Sequence, residues 1–203
     1  GTLRAIARRG IDPRTIYNLI TEIGVKMADS AISWKKIYGL NRNFVEPIAN
    51  RYFFCEEPVE VSVNGYEDGD VTIERPLHAD HMDRGNRLLS FDGSAYIAKA
   101  DYADGLFRLM DAVNVEIAGE DVNYHSTSFE EARDVKARII QWVPTKENVN
   151  VKIVMDDASV KTGLGEIALN DLEVGDIVQF ERVGFARLDE IKDDELVFYY
   201  AHK

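Results

Sequence analysis

The stretch VGDIVQFERVGFARLD, residues 174–189, reads as β-strand, with Val178 and Phe180 as the inward positions and Gln179 between them facing out. It also carries Gln179, Arg182 and Arg187 beside Phe180 and Phe185. Fork-shaped donors interleaved with aromatic rings are the equipment with which proteins read nucleobases. Residues three apart face opposite sides of a straight strand, so Gln179 and Arg182 share a target only if the strand bends, and Gly184 marks a place for that. The chain as a whole carries a formal net charge of -12. A base-reading strand on so acidic a protein needs a reason.

The period of two runs far upstream of this stretch. Val59, Val61 and Val63 alternate with polar residues, as do Val149, Val151, Ile153 and Met155, and the chain ends on the strand-like LVFYYAH, residues 196–202. Asn64-Gly65, Asp68-Gly69 and Asp92-Gly93 supply turns between the runs. The first fifty residues differ. Asp12 and Pro13 have the chemistry of an N-cap and a first helical position. Ile16, Leu19, Ile20 and Ile23 follow as one apolar stripe that Gly24 ends, and Ser33 caps a second helix carrying Trp34, Ile37, Tyr38 and Leu40. The expected fold is mainly β with an α-helical N-terminal subdomain, its strands forming two antiparallel β-barrels.

At 203 residues, 45% hydrophobic and 30% charged, the chain is a globular protein with room for two small cores. No apolar run approaches the roughly 20 residues of a membrane helix, and no signal peptide is visible. A single cysteine, Cys55, excludes a disulfide framework and a cysteine-based zinc site; it fits a buried apolar role. A reducing, cytoplasmic location is expected.

The acidity is uneven. Residues 1–51 hold nine Lys/Arg against four Asp/Glu, which leaves 15 basic and 32 acidic residues for the rest. A basic head on an acidic body suits a protein that meets a polyanion along one face. Arg4 and Arg8 share a helix face and, with Arg9, can hold nucleic-acid phosphates; a plain solvated surface is the alternative.

Other clusters are weaker. Lys26-Met27-Ala28-Asp29-Ser30 resembles an ATP-binding lysine loop but lacks its second lysine and has Asp29 instead. His78 and His81, with Asp80 and Asp83, read as a solvated acidic loop rather than a metal site. Thr162-Gly-Leu-Gly-Glu166 lacks the Lys-Ser/Thr of a phosphate loop and reads as a turn. No catalytic residue is expected in this chain.

Taken in order, TLRAIARRGIDPRTIYNLITEIGVK (2–26), ISWKKIYGLNRNFVEPIANRYFF (32–54), IIQWVP (139–144), VQFERVGFARLD (178–189) and FYYAHK (198–203) resemble the part of glutamyl- and glutaminyl-tRNA synthetases that follows the catalytic domain. The glutaminyl enzymes typically have Ala-Pro-Arg where this chain has Ala49-Asn50-Arg51, so the archaeal-type glutamyl branch is favoured. The resemblance implies a helical subdomain at 1–50, a proximal barrel from 51–75 plus 148–203, and a distal barrel at 76–147. The C-terminal strands would pair back near residues 58–64.

It implies that Arg51, Gln179 and Arg182 bind the anticodon, that Lys136 and Arg138 reach the anticodon loop, and that Arg4, Arg8 and Arg9 follow the tRNA backbone. The partner would be tRNA-Glu, and tRNA-Gln as well if discrimination is relaxed; DNA and membrane are not expected, and a monomer is. ATP and Mg would serve the full-length ligase through a catalytic domain lying upstream, without which this chain would not aminoacylate. The alternatives are the same region of a glutaminyl-tRNA synthetase, separable by which amino acid the full enzyme activates, and a stand-alone RNA-binding module of two barrels.

Overall fold

The computed structural model describes residues 2–24 and 31–203. Helices α1 (Leu3–Arg8), α2 (Pro13–Ile23) and α3 (Trp34–Val45) come first. Strands follow: β1 (Asn50–Tyr52), β2 (Phe54–Glu56), β3 (Pro58–Asn64), β4 (Val71–Pro76), β5 (Asn86–Phe91), β6 (Ser94–Ala98), β7 (Gly105–Leu109), β8 (Asn114–Ala118) and β9 (Asp121–Ser126). A short helix α4 (Phe129–Asp134) leads to β10 (Arg138–Ile140), β11 (Trp142–Pro144), β12 (Asn148–Val154) and β13 (Val160–Glu166). The chain closes with β14 (Ile177–Phe180), β15 (Gly184–Lys192) and β16 (Glu195–His202). The mainly β architecture with N-terminal helices is the one expected, and its strands form two seven-stranded, barrel-like sheets.

The chain divides into two compact units. One comprises residues 1–51, 152–161 and 172–203, the other 52–151 and 162–171. In the first, the hydrogen-bonding order is β1-β14-β15-β16, joined by the tip of the β12–β13 hairpin. Helix starts follow the sequence: Asp12 accepts from the Arg14 N–H with Pro13 behind it, and the Ser33 hydroxyl accepts from the Lys36 N–H. The α2 stripe departs from expectation. Ile20 is 63% exposed, while Thr15 and Leu19 are buried. Thr15 can be buried because its hydroxyl donates to Asn41 Oδ1 at 3.0 Å, so a polar residue takes the inward place the periodicity gave to isoleucine. Ile11, Leu19 and Ile37 form one small core, and Val45, Ala49, Phe185 and Ala201 another.

The second unit holds the larger core, with Phe53, Cys55, Phe91, Phe107, Val143 and Trp142 among its buried members. Trp142 meets Phe91 edge-on at 5.4 Å and its indole N–H donates to the Met110 carbonyl, so the ring is buried with its one polar atom satisfied. The sheet order is β10-β7-β8-β9-β3-β6-β11, with β4 and β5 as a separate antiparallel pair. Two pairings are parallel, β10 with β7 and β3 with β9. The chain reaches each by a crossover, α4 leading into β10, as parallel neighbours require.

Three readings change here. The return pairing falls on residues 50–56, not 58–64: β14 lies beside β1, and Gly163, Leu164 and Gly165 of β13 pair with Glu56, Cys55 and Phe54. Residues 162–166 are therefore strand rather than turn. A Cβ on Gly163 would sit 2.0 Å from the Cys55 carbonyl oxygen, so the glycines serve close strand approach. His78 alone departs from the solvated loop: it is 2% exposed, its Nδ1 accepting from the Asp80 N–H, while Asp80 and Asp83 stay exposed as expected. Cys55 is fully buried as expected. Among the described residues no helix is long and apolar enough to cross a membrane.

Candidate nucleic-acid interface

The opening stretch folds as the β14–β15 hairpin. Gln179 pairs with Phe185 and Phe180 with Gly184. Val178, Phe180 and Phe185 are fully buried, and Phe180 meets Phe198 edge-on at 4.9 Å. The strand stops at Phe180, whose carbonyl accepts from the Val183 N–H at 3.0 Å, closing a tight turn. Arg182 takes the turn position with φ 69° and is exposed. A left-handed conformation costs an L-residue about 1–2 kcal/mol and is usually given to glycine. Gly184 has no alternative, since a Cβ there would lie 2.5 Å from the His202 carbonyl oxygen. The bend that the sequence required thus lies in the turn itself.

Arg51 lies on β1, the neighbour of β14. Its Nη2 stands 3.8 Å from Glu46 Oε1, while its Nε is buried without a hydrogen-bond partner among the described residues. Gln179 Oε1 is likewise buried and unpartnered. A donor and an acceptor on adjacent strands are thus both unsatisfied, each a cost of about 1–3 kcal/mol. Such groups are rare in folded proteins and ask for a partner. Together they match an edge that offers acceptor and donor, as nucleobase edges do, and Arg182 adds a five-donor fork at the hairpin tip.

Lys136 and Arg138 belong to the other unit. Glu131 and Ser128 cap α4 reciprocally, and the Ser128 bonds hold the Glu131 carboxyl below its ordinary pKa. Lys136 ends that turn at φ 56° and is exposed. Arg138 is 62% exposed, 3.5 Å from Asp101 and 5.3 Å from the Phe107 ring. Three residues on, Gln141 is 3% exposed with Nε2 unpartnered, a residue that sequence reasoning passed over although it sits inside IIQWVP.

The N-terminal arginines separate. Arg4 is exposed. Arg8 sets Nε and Nη2 on Asp189 Oδ2 at 2.9 and 2.6 Å and stacks 4.2 Å over the Tyr199 ring. Arg9 is turned inward, donating to the Tyr200 and Ala201 carbonyls and to the Tyr38 hydroxyl. Its side chain is committed to the fold. Arg187, grouped in the sequence reading with the fork-shaped donors but carried into no binding site, lines an open groove of about 480 Å³ with Arg4, Ala5, Ala7 and Arg8. Its only signal was its place in the opening stretch.

Charge divides as the units do. The first unit carries 15 Lys/Arg against 14 Asp/Glu, the second 9 against 22. The acidity thus lies almost wholly in the second unit, whereas the hairpin, Arg51 and the groove belong to the first. Among the described residues no group of three or more His, Cys, Asp and Glu could hold a metal ion, and residues 26–30 lie outside them.

Comparison with known proteins bears on this arrangement. Models of the family described as tRNA synthetases class I (E and Q), anti-codon binding domain, match residues 49–140 and 139–189. The whole chain is 78% identical to the glutamate--tRNA ligase of Methanobrevibacter smithii, covering 37% of that protein. It is 52% identical to the enzyme so named from Methanothermobacter thermautotrophicus, covering 36%, and 42% identical to that of Pyrococcus furiosus, covering 37%. The chain therefore spans little more than a third of the length of these relatives.

Proposed function

Because the chain belongs to the anticodon-binding domain family of class I glutamyl- and glutaminyl-tRNA synthetases, we propose that it serves as the tRNA-reading part of a glutamate--tRNA ligase acting in the cytoplasm. The observation that carries this reading is the pair of buried, unpartnered polar atoms on neighbouring strands, Arg51 Nε and Gln179 Oε1. An unstacked anticodon base inserted there satisfies both at once, and loss of either bond on a wrong base leaves a buried group unpaired. Arg182 reads a further base from the hairpin tip, and Lys136 and Arg138 of the second unit bind the anticodon loop.

The partner in this reading is tRNA-Glu, with tRNA-Gln accepted as well, and the chain acts as a monomer without binding DNA. Glutamate activation, with ATP and Mg, is the work of the remaining length of the relatives. The 203-residue chain alone does not aminoacylate. The acidic second unit repels RNA that offers no matching bases, which favours discrimination over raw affinity.

The test compares binding of the chain to a tRNA-Glu transcript and to one changed only in the anticodon, at two salt concentrations. Anticodon-dependent loss that persists at higher salt is expected. Equal binding to both, fading with salt, would leave phosphate binding alone and refute base reading.

A further inference from the structure

We infer that the groove between α1 and β15 is a binding site for RNA phosphodiester, built by Arg4, Arg8 and Arg187 and shaped by Asp189. The inference rests on the reading that this chain binds tRNA, and adds to it a site that touches no base. It also moves backbone binding away from Arg9, whose Nε and Nη2 are engaged by carbonyls of β16 and the Tyr38 hydroxyl.

Three observations support it. First, the groove has the room and the charge: about 480 Å³, open to solvent, with three guanidinium groups on its lining. One carboxylate bonds to them, with Glu190 further from Arg8. Asp189 takes Arg8 at 2.6 Å through one oxygen and stands 3.4 Å from Arg187 Nη1 through the other. Three positive charges against this one negative leave the lining at about +2, in a protein whose net charge is -12. Second, the arginines are positioned rather than loose. Arg8 is fixed in plane by two donors on Asp189 and in stacking by Tyr199. Its side chain is still 51% exposed, which leaves donors for an anion. Third, the backbone is shaped to bring α1 over Arg187. Gly10 ends the α1 turn at φ 87°, and a Cβ there would press on Arg187 Cβ at 3.2 Å. A side chain at 10 would be strained and would crowd the arginine that completes the groove.

A phosphodiester fits because its charge is delocalised over two oxygens that guanidinium forks can clasp, and the lining offers no aromatic ring or hydrogen-bond acceptor-donor pair that would select a base. Binding here is therefore independent of sequence.

The experiment measures binding of the 203-residue chain to a tRNA-Glu transcript and to its anticodon-changed counterpart across a salt series, for wild type, Arg187→Gln and Arg4→Gln. Each variant is expected to weaken both RNAs by the same several-fold factor at low salt. Each should also reduce the slope of log K against log salt by about 0.7–0.9, the share of a single phosphate. Arg4→Gln removes an exposed side chain, so it keeps the test valid if Arg187→Gln alters the fold. Unchanged slopes in both variants, with anticodon preference intact, would overturn the groove and leave base reading standing. Lowered slopes without anticodon preference would do the reverse. Absence of RNA binding at low salt would overturn both.

Discussion

Asn41, in α3, and His202, one residue from the end of the chain, stand 2.9 Å apart with both side chains fully buried. The surroundings decide the protonation of the histidine. Asn41 Oδ1 already accepts from the Asp12 N–H and the Thr15 hydroxyl, so the Asn41 amide must turn its Nδ2 toward Gly10 O and His202. Nδ2 only donates, so His202 Nε2 must accept, and the proton sits on Nδ1, 3.0 Å from the Lys203 carbonyl. The ring is held neutral, and burial, with Arg42 and Arg9 nearby, lowers its pKa.

Acid should therefore loosen the first unit. Below about pH 6.5, the ordinary histidine value, the unfolded chain takes up a proton that the folded ring refuses. Stability is full above that pH and falls as pH drops through the window between about 6.5 and the lowered folded value. His202→Phe keeps a ring against Tyr38 and Phe185 but cannot titrate. Urea midpoints measured from about pH 7.5 to 5 should decline more steeply for wild type than for His202→Phe, and parallel declines would show the histidine to be irrelevant.

Replacing Asn41 by alanine should cost about 2–4 kcal/mol, because several buried groups lose their partner together. Urea unfolding at neutral pH measures this directly.

Arg9→Ala should behave as a fold mutation. Its side chain is 17% exposed and serves two β16 carbonyls and one hydroxyl. A loss of about 2–3 kcal/mol is expected, since hydrogen bonds to charged groups are the stronger ones. The salt dependence of tRNA binding measured on the folded fraction should match wild type, unlike that of Arg4→Gln.

How much of this was open to sequence reading depends on what each residue answers to. Caps answer to local chemistry, and Asp12-Pro13 and Ser33 start their helices where expected. The strand alternation through Val178 and Phe180 was legible for the same reason: period two is a local property. Ile20 and Thr15 exchange places because the inward side of α2 is set by Asn41, 26 residues on from Thr15, and periodicity cannot see a hydrogen-bond partner. Gly163 and Gly165 looked like a turn because glycine serves both flexibility and close approach. Only the register against β2 tells which. In the candidate site, Gln179 and Arg182 stood out by side-chain chemistry, and Arg51 by resemblance alone. The unpaired state of two of them, the inward turn of Arg9 and the position of Arg187 needed coordinates.

The strained turn residue gives a prediction in which stability and recognition move apart. Glycine at 182 relieves about 1–2 kcal/mol of left-handed strain, offset by about 0.4–1 kcal/mol from the freer unfolded chain. Arg182→Gly also loses the side chain's own contacts, so its stability should stay within about 1 kcal/mol of wild type, while anticodon discrimination falls by about 1–3 kcal/mol. Thermal unfolding and paired tRNA titrations read the two quantities separately. A variant that loses more stability than that would mean that the arginine is held there by the fold and not kept for its ligand.

The buried ion pair of the second unit, Arg87 with Glu166, offers the last prediction. Both side chains are 1% exposed, 2.7 Å apart. Glu166 also accepts from the Phe53 N–H, and Arg87 donates to the Pro76 carbonyl and faces the Phe53 ring at 5.3 Å. Burial pushes the Glu166 carboxyl upward against the pull of Arg87. The charges thus contribute little net stability together and much disruption apart. Glu166→Gln should cost about 3–5 kcal/mol by leaving Arg87 buried without its counter-charge. Adding Arg87→Met to Glu166→Gln should recover more than half of that, because the guanidinium left buried without its counter-charge is then gone. A double mutant as unstable as the sum of its single mutants would show that the two residues hold β2, β5 and β13 independently, and that the pairing itself is incidental.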